Sequence, residues 1–153
     1  MEKTNVSRLL DLNGIDYVMY EYNPEVTDGK EVAKLVNKPS DMVFKTLVTV
    51  VGVKDYRVFV IPVSSTLDLK KAAKSAEVKS VEMLKQKELL PLTGYIHGGC
   101  SPIGMKKPFK TFIDETALLF DTICVSAGKV GKQIEISPIK LKDFINAEFK
   151  DLT

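Results

Sequence analysis

The apolar positions fall into short runs whose period changes along the chain, and those changes mark out its elements. In residues 5–13, Val6, Leu9, Leu10 and Leu12 recur at helical spacing, with Thr4 or Asn5 as N-cap and Gly14 as the stop. Residues 15–22 (IDYVMYEY) are β-branched and aromatic and end at Asn23-Pro24. They predict a strand with Tyr20 and Tyr22 on one face and Tyr17 on the other. A second helix is expected over 27–37, closed by Pro39. Residues 43–53 (VFKTLVTVVGV) and 56–63 (YRVFVIPV) predict a hairpin joined at Lys54-Asp55. Residues 67–75 (LDLKKAAKS) read as a helix with Lys70, Lys71 and Lys74 on one face. A short strand over 78–81 and a helix over 82–90, ended by Pro91, are expected next. Residues 109–114 (FKTFID), 121–126 (DTICVS) and 133–136 predict three more strands, with a helical turn at 115–119. A last helix begins at Pro138 and runs to about Phe149.

Strands in hairpin-like succession with helices inserted irregularly predict an α+β fold on a mixed, mainly antiparallel sheet, in one domain over residues 1–153. Strict βαβα alternation is absent, and no glycine cluster has the dinucleotide or Walker spacing. No apolar run approaches the roughly 20 residues of a membrane span, and MEKTNVSRLL lacks the apolar core of a signal peptide, so a soluble cytosolic protein is expected. Cys100 and Cys124 have no metal-ligand spacing, and His97 is the only histidine, which argues against a metal site; no cofactor is implied. The net charge is +2, and Arg8 and Arg57 are the only arginines. Lysine neutralises phosphate as a point charge, whereas bidentate base reading favours arginine, so a nucleic-acid partner would be held by its backbone rather than read as DNA sequence.

The candidate chemistry lies in the stretch from Gly94 to Lys107, GYIHGGCSPIGMKK. Glycines at this density admit close backbone approach and the positive dihedrals from which N–H groups form an anion-binding nest, although a tight structural turn has the same signature. Residues 126–132 (SAGKVGK) form a second Gly/Lys loop. Lys45 lies near a strand start between apolar neighbours; buried there it requires a counter-charge or an anionic ligand, and otherwise it snorkels to solvent.

Four segments taken together, VFKTLV from Val43, LDLKKAAK from Leu67, TGYIHGGCSPIGMKK from Thr93 and VSAGKVGKQIEISP from Val125, resemble the YbaK/EbsC family of free-standing editing domains. That family is related to the editing insertion of bacterial prolyl-tRNA synthetase. The resemblance implies a mixed, barrel-like sheet with peripheral helices. It also implies a trans-editing deacylase that clears cysteine from mischarged tRNA(Pro), with the substrate's own thiol attacking its carbonyl. By position it puts roles on Lys45, Tyr22, Gly98 and Ser126; with Gly99, whose backbone N–H lies beside that of Gly98, the expected catalytic set is Lys45, Gly98, Gly99 and Ser126, and the expected substrate contacts are Tyr22, Cys100, Ser101 and Gln133. Gln133 stands where the founding type has an aspartate, and so lacks its negative charge. Lys70, Lys71, Lys74, Lys106 and Lys107 are the expected contacts to the tRNA acceptor end, and prolyl-tRNA synthetase is a candidate partner. No general base is evident beyond His97, a candidate by identity alone. Two alternatives stay open: deacylation of another ester, such as alanyl-tRNA(Pro), by an activated water, and a non-catalytic module that binds tRNA or the synthetase.

Overall fold

The computed structural model describes residues 1–153. Helix α1 (Asn5–Leu12) starts at a capping box: the Thr4 hydroxyl accepts from the Ser7 amide at 3.1 Å, and the Ser7 hydroxyl accepts from the Thr4 amide at 2.8 Å. Strand β1 (Tyr17–Glu21) ends one residue short of Tyr22, so Tyr22 belongs to the following loop. Helix α2 (Gly29–Leu35) is capped by Asp28. The hairpin of β2 (Phe44–Val51) and β3 (Asp55–Pro62) turns at Gly52 to Lys54, earlier than expected, because Gly52 takes the left-handed φ of +65° that the turn needs.

Helix α3 (Leu69–Ser75) follows, and the chain then departs from expectation. Residues 78–81 are no strand; the strand is β4 (Glu82–Met83), which pairs with the edge of β2 where a helix was predicted. Helix α4 (Leu89–Thr93) contains Pro91 in its first turn, where a missing N–H leaves no bond unmade. Gly94, at φ +88°, is the true stop. Strands β5 (Lys110–Asp114), β6 (Ile123–Ser126) and β7 (Lys132–Ile136) lie where predicted. Helix α5 (Pro138–Phe144) ends five residues early in a Schellman motif: Asn146 is left-handed at φ +54°, and the Ala147 amide donates to the Lys142 carbonyl at 2.9 Å. This frees Glu148–Lys150 to add as strand β8.

Two sheets result, with strand orders β1-β7-β6 and β4-β2-β3-β5-β8. The first is antiparallel; in the second, β3-β5 and β5-β8 are parallel pairs. They meet at one parallel bridge, Val43 to Cys124, and do not close, so the expected barrel is two apposed sheets with free edges. Between them lies the main core, in which Phe44, Val60 and Ile113 face Ile123, Val125 and Ile134, with Val6 and Leu10 of α1 at one end. Burying side chains of this size stabilises by about 1.5–3 kcal/mol each. A second core under α3 holds Phe59 stacked on Phe112 at 5.4 Å, together with Ile61, Ala72 and Leu152. No helix is long and apolar enough to cross a membrane.

Candidate active site

The two glycine loops pack against each other. A Cβ on Gly99 would lie 2.9 Å from the Val130 amide nitrogen, and one on Gly98, at φ +86°, would lie 2.8 Å from the Thr27 methyl. The Tyr22 amide donates to the Gly131 carbonyl at 2.9 Å, which ties the end of β1 to the second loop. Beside these contacts opens a cavity of about 430 Å³, bounded by the start of β2, the entry to α2, the first glycine loop and the ends of β6 and β7.

Six of the eight residues expected in the catalytic and substrate-binding sets line it: Tyr22, Lys45, Gly98, Cys100, Ser126 and Gln133. Ser126 and Gln133 sit directly opposite in the β6-β7 ladder, so their side chains leave the sheet on one face. Ser126 is 7% exposed, and its hydroxyl accepts from the Gly128 amide at 3.1 Å, leaving its own proton to donate. Gln133 is 6% exposed and its Oε1 has no partner; Thr46 Oγ1, also on the cavity, is likewise unpaired. Both atoms are sealed from solvent, so the wall behind the cavity holds two polar groups whose hydrogen bonds are unmade within the protein.

Gly99 and Ser101 do not line the cavity. The Gly99 amide donates to the Ile96 carbonyl at 3.0 Å, so the N–H of this expected catalytic residue is already committed within its own loop. The neighbouring Gly98 and Cys100 amides donate to no backbone carbonyl, and both residues reach the cavity. Ser101 is fully buried and its hydroxyl accepts from the Ile103 amide at 3.2 Å, a loop-shaping bond rather than a substrate contact. Lys45 is exposed and makes no ion pair; alternation turns it away from buried Phe44, so the desolvation anticipated for it does not arise. Its charge remains available to an anion.

Burial pushes the Cys100 thiol up to about 12, and the thiol of Cys124, which lies outside the cavity in β6, to about 12 as well. Neither is a thiolate at neutral pH. His97 is exposed at the cavity edge. Asp28 and Thr46 are cavity residues to which the sequence assigned no site role; Asp28 reads locally as a helix cap, which it also is.

One step along β7 from Gln133, Glu135 gathers a polar cluster on the same face. Tyr20 donates to it at 2.6 Å, the Lys38 ammonium lies 3.1 Å away, and the Thr122 hydroxyl donates to its second oxygen. Burial pushes the Glu135 carboxyl up, but hydrogen bonds from Thr122, Tyr20 and Lys38 outweigh it and hold the group below its ordinary value. Lys38 follows α2, so the pair pins α2 to β7, the elements that carry Asp28 and Gln133 to the cavity.

None of the five lysines expected on tRNA lines the cavity. Lys71 is tied to Asp151 at 3.1 Å and the Lys106 ammonium donates to the Pro91 carbonyl at 3.4 Å, whereas Lys70, Lys74 and Lys107 have no side-chain partner. Lys45 shares its face of β2 with Leu47, which packs on the core beneath α3, so Lys70 and Lys74 lie on that side of the sheet.

Residues 23–144 match the family model of the aminoacyl-tRNA editing domain. EbsC of Enterococcus faecalis, a candidate Cys-tRNA(Pro)/Cys-tRNA(Cys) deacylase, is 43% identical over 154 positions, covering 99% of this chain and 94% of EbsC. Two solved structures share the fold. One is a candidate trans-editing enzyme for prolyl-tRNA synthetase, with a TM-score of 0.85, 24% identity, and 99% of both chains covered. The other is the hypothetical protein APE2540, with a TM-score of 0.89, 21% identity, and 97% of this chain and 99% of that one covered. The match spans both glycine loops, the Lys45 strand and all the cavity walls except Tyr22, and on it the chain belongs to the aminoacyl-tRNA editing-domain family.

Proposed function

We propose that this protein is a trans-editing deacylase that clears cysteine from mischarged tRNA(Pro), with the substrate's thiol as nucleophile. The observation that carries the reading is a cavity of mixed polar and apolar lining whose only protein thiol is held protonated by burial, beside amides and a hydroxyl free to stabilise charge.

A synthetase pocket that admits proline rejects cysteine by only about 1–3 kcal/mol, so sorting needs a second site. There the substrate thiolate attacks the carbonyl carbon of its own ester. The tetrahedral oxyanion collapses with cleavage of the carbonyl C–O bond, giving a cysteine β-thiolactone and a ribose alkoxide that takes up the proton lost by the thiol. Atoms balance without water, which opens the thiolactone afterwards. A free thiol near pKa 8.5, lowered by the adjacent ammonium, supplies the thiolate. The Gly98 and Cys100 amides and the Ser126 hydroxyl are the donors for the oxyanion. Lys45 pairs with the terminal phosphate, and Lys70 and Lys74 continue the track along the acceptor stem. This substrate implies a cytoplasmic protein, with prolyl-tRNA synthetase as a partner that delivers the mischarged tRNA.

The test is turnover of cysteinyl-, seryl- and alanyl-tRNA(Pro) by the wild type and by Cys100→Ala. Cysteinyl ester cleaved well, seryl ester poorly, and Cys100→Ala close to wild type is the expected pattern. Equal cleavage of seryl and cysteinyl esters favours the second reading, in which His97 at the cavity edge activates a water against an ester such as alanyl-tRNA(Pro).

A further inference from the structure

The aminoacyl ester carries two opposite charges, the phosphodiester beyond the ribose and the α-ammonium next to the reacting carbonyl. Lys45 answers the first, and nothing assigned so far answers the second, because Gln133 is neutral. Resting on the deacylase reading, we infer that Asp28 is the residue that recognises the substrate's α-ammonium and selects a free aminoacyl group.

Asp28 is the only carboxylate that lines the cavity. Its position is set on both sides by close packing. On one side, a Cβ on Gly29 would lie 2.5 Å from Val63 Cγ1, so the first turn of α2 presses directly on the end of β3. On the other, Thr27 packs against Gly98, which places Asp28 one residue from the loop that carries the proposed oxyanion donors. As the N-cap of α2, its Oδ2 accepts from the Glu31 amide at 3.3 Å, a long bond that leaves Oδ1 uncommitted. Asp28 makes no ion pair in the protein. Gln133, a neutral amide on the same cavity wall, is more than nine-tenths buried, and its Oε1 has no partner within the protein. An ammonium has three donors and no acceptor, and a carboxylate with neutral oxygens nearby is the set that satisfies it. Lys45 and Asp28 thus give the cavity one positive and one negative side chain, matching the charges of the ester.

The test is Asp28→Asn assayed on cysteinyl-tRNA(Pro) and on 3-mercaptopropionyl-tRNA(Pro), which keeps the thiol and ester but lacks the amine. Asparagine caps a helix as well as aspartate, so α2 is retained. A hydrogen bond to a charged group at a half-open site predicts that the cysteinyl-over-mercaptopropionyl preference in kcat/KM falls about tenfold in the variant. Taking the ratio cancels the different intrinsic reactivity of the two esters. An unchanged preference with an active wild type overturns the assignment of Asp28 alone. A wild type that cleaves neither ester overturns the deacylase reading, and this inference with it.

Discussion

A methyl group added at Gly99 would sit 2.9 Å from the Val130 amide nitrogen and 3.2 Å from the Lys129 carbonyl carbon. Both are main-chain atoms of the second glycine loop, so no side-chain rotation relieves the contact. Restoring ordinary separation moves the loops apart by roughly half an ångström, an overpacking that costs about 1–3 kcal/mol. For a chain of 153 residues, Gly99→Ala then lowers Tm by about 2–10 °C. The same displacement carries the Gly98 and Cys100 amides away from Ser126, and misplacement of this order lowers kcat/KM roughly tenfold. Gly14→Ala is the matching control: its Cβ has open space, its φ of +66° makes alanine strained by about 1–2 kcal/mol, and it lies off the cavity. It is expected to lower Tm and leave deacylation unchanged. Thermal unfolding read alongside single-turnover cleavage separates the two effects. A Gly99→Ala protein with wild-type Tm and rate would refute the back-to-back packing of the loops as the frame of the site.

Lys45→Ala is expected to abolish deacylation with Tm within a few degrees of wild type, because an exposed lysine without an ion pair contributes little to folding; full activity removes it from the mechanism. If Lys70 and Lys74 touch phosphates of the duplex acceptor stem, affinity falls with salt by about 0.9 log units per log unit of salt per contact, and Lys70→Ala/Lys74→Ala flattens the slope; an unchanged slope shows that they are only solvated. Glu135 titrates below its ordinary value when folded, so its stabilisation is complete above the unfolded pKa near 4.3 and is lost as pH falls through the lower folded value. Glu135→Gln therefore lowers stability at pH 7 by about 1–2 kcal/mol and makes it less dependent on pH in the acid range, measured by urea unfolding between pH 3 and 7; parallel curves refute the assignment.

The elements legible in the sequence were those whose own periodicity decides them. The β2-β3 hairpin, α1 with its Thr4 cap, and the strand pair β6-β7 fall where alternation and capping place them. The failures come where a partner strand overrides local preference. Residues 82–90 look helical, yet Glu82 and Met83 meet the free edge of β2 and pair with it. The end of α5 was hidden because asparagine at 146, unlike glycine, does not announce a left-handed C-cap. The return of β8 beside β5 also depends on Asp114, which is 1% exposed and accepts from the Leu152 amide at 2.8 Å, a bond 38 residues long in sequence.

The site divides along the same line. Lys45, Gly98, Ser126 and Gln133 come from three of the four family-like segments, and the fold brings them to one cavity. What the motifs do not encode is which of two adjacent residues faces the ligand. Gly98 reaches the cavity while Gly99 is turned into the second loop, because only one of the pair has its amide committed to Ile96. Cys100 reaches it while Ser101 is buried behind, its hydroxyl held by the Ile103 amide. Asp28 went unmarked for the opposite reason: a helix cap explains an aspartate before Gly29 so completely that nothing local asks for a second role. Only the contact of Gly29 with Val63, and of Thr27 with Gly98, shows that the entry to α2 is a cavity wall. If the nucleophile arrives with the substrate, as proposed, the protein's contribution is the placing of charges and donors, and that placing is carried by long-range packing of the kind no local pattern reports.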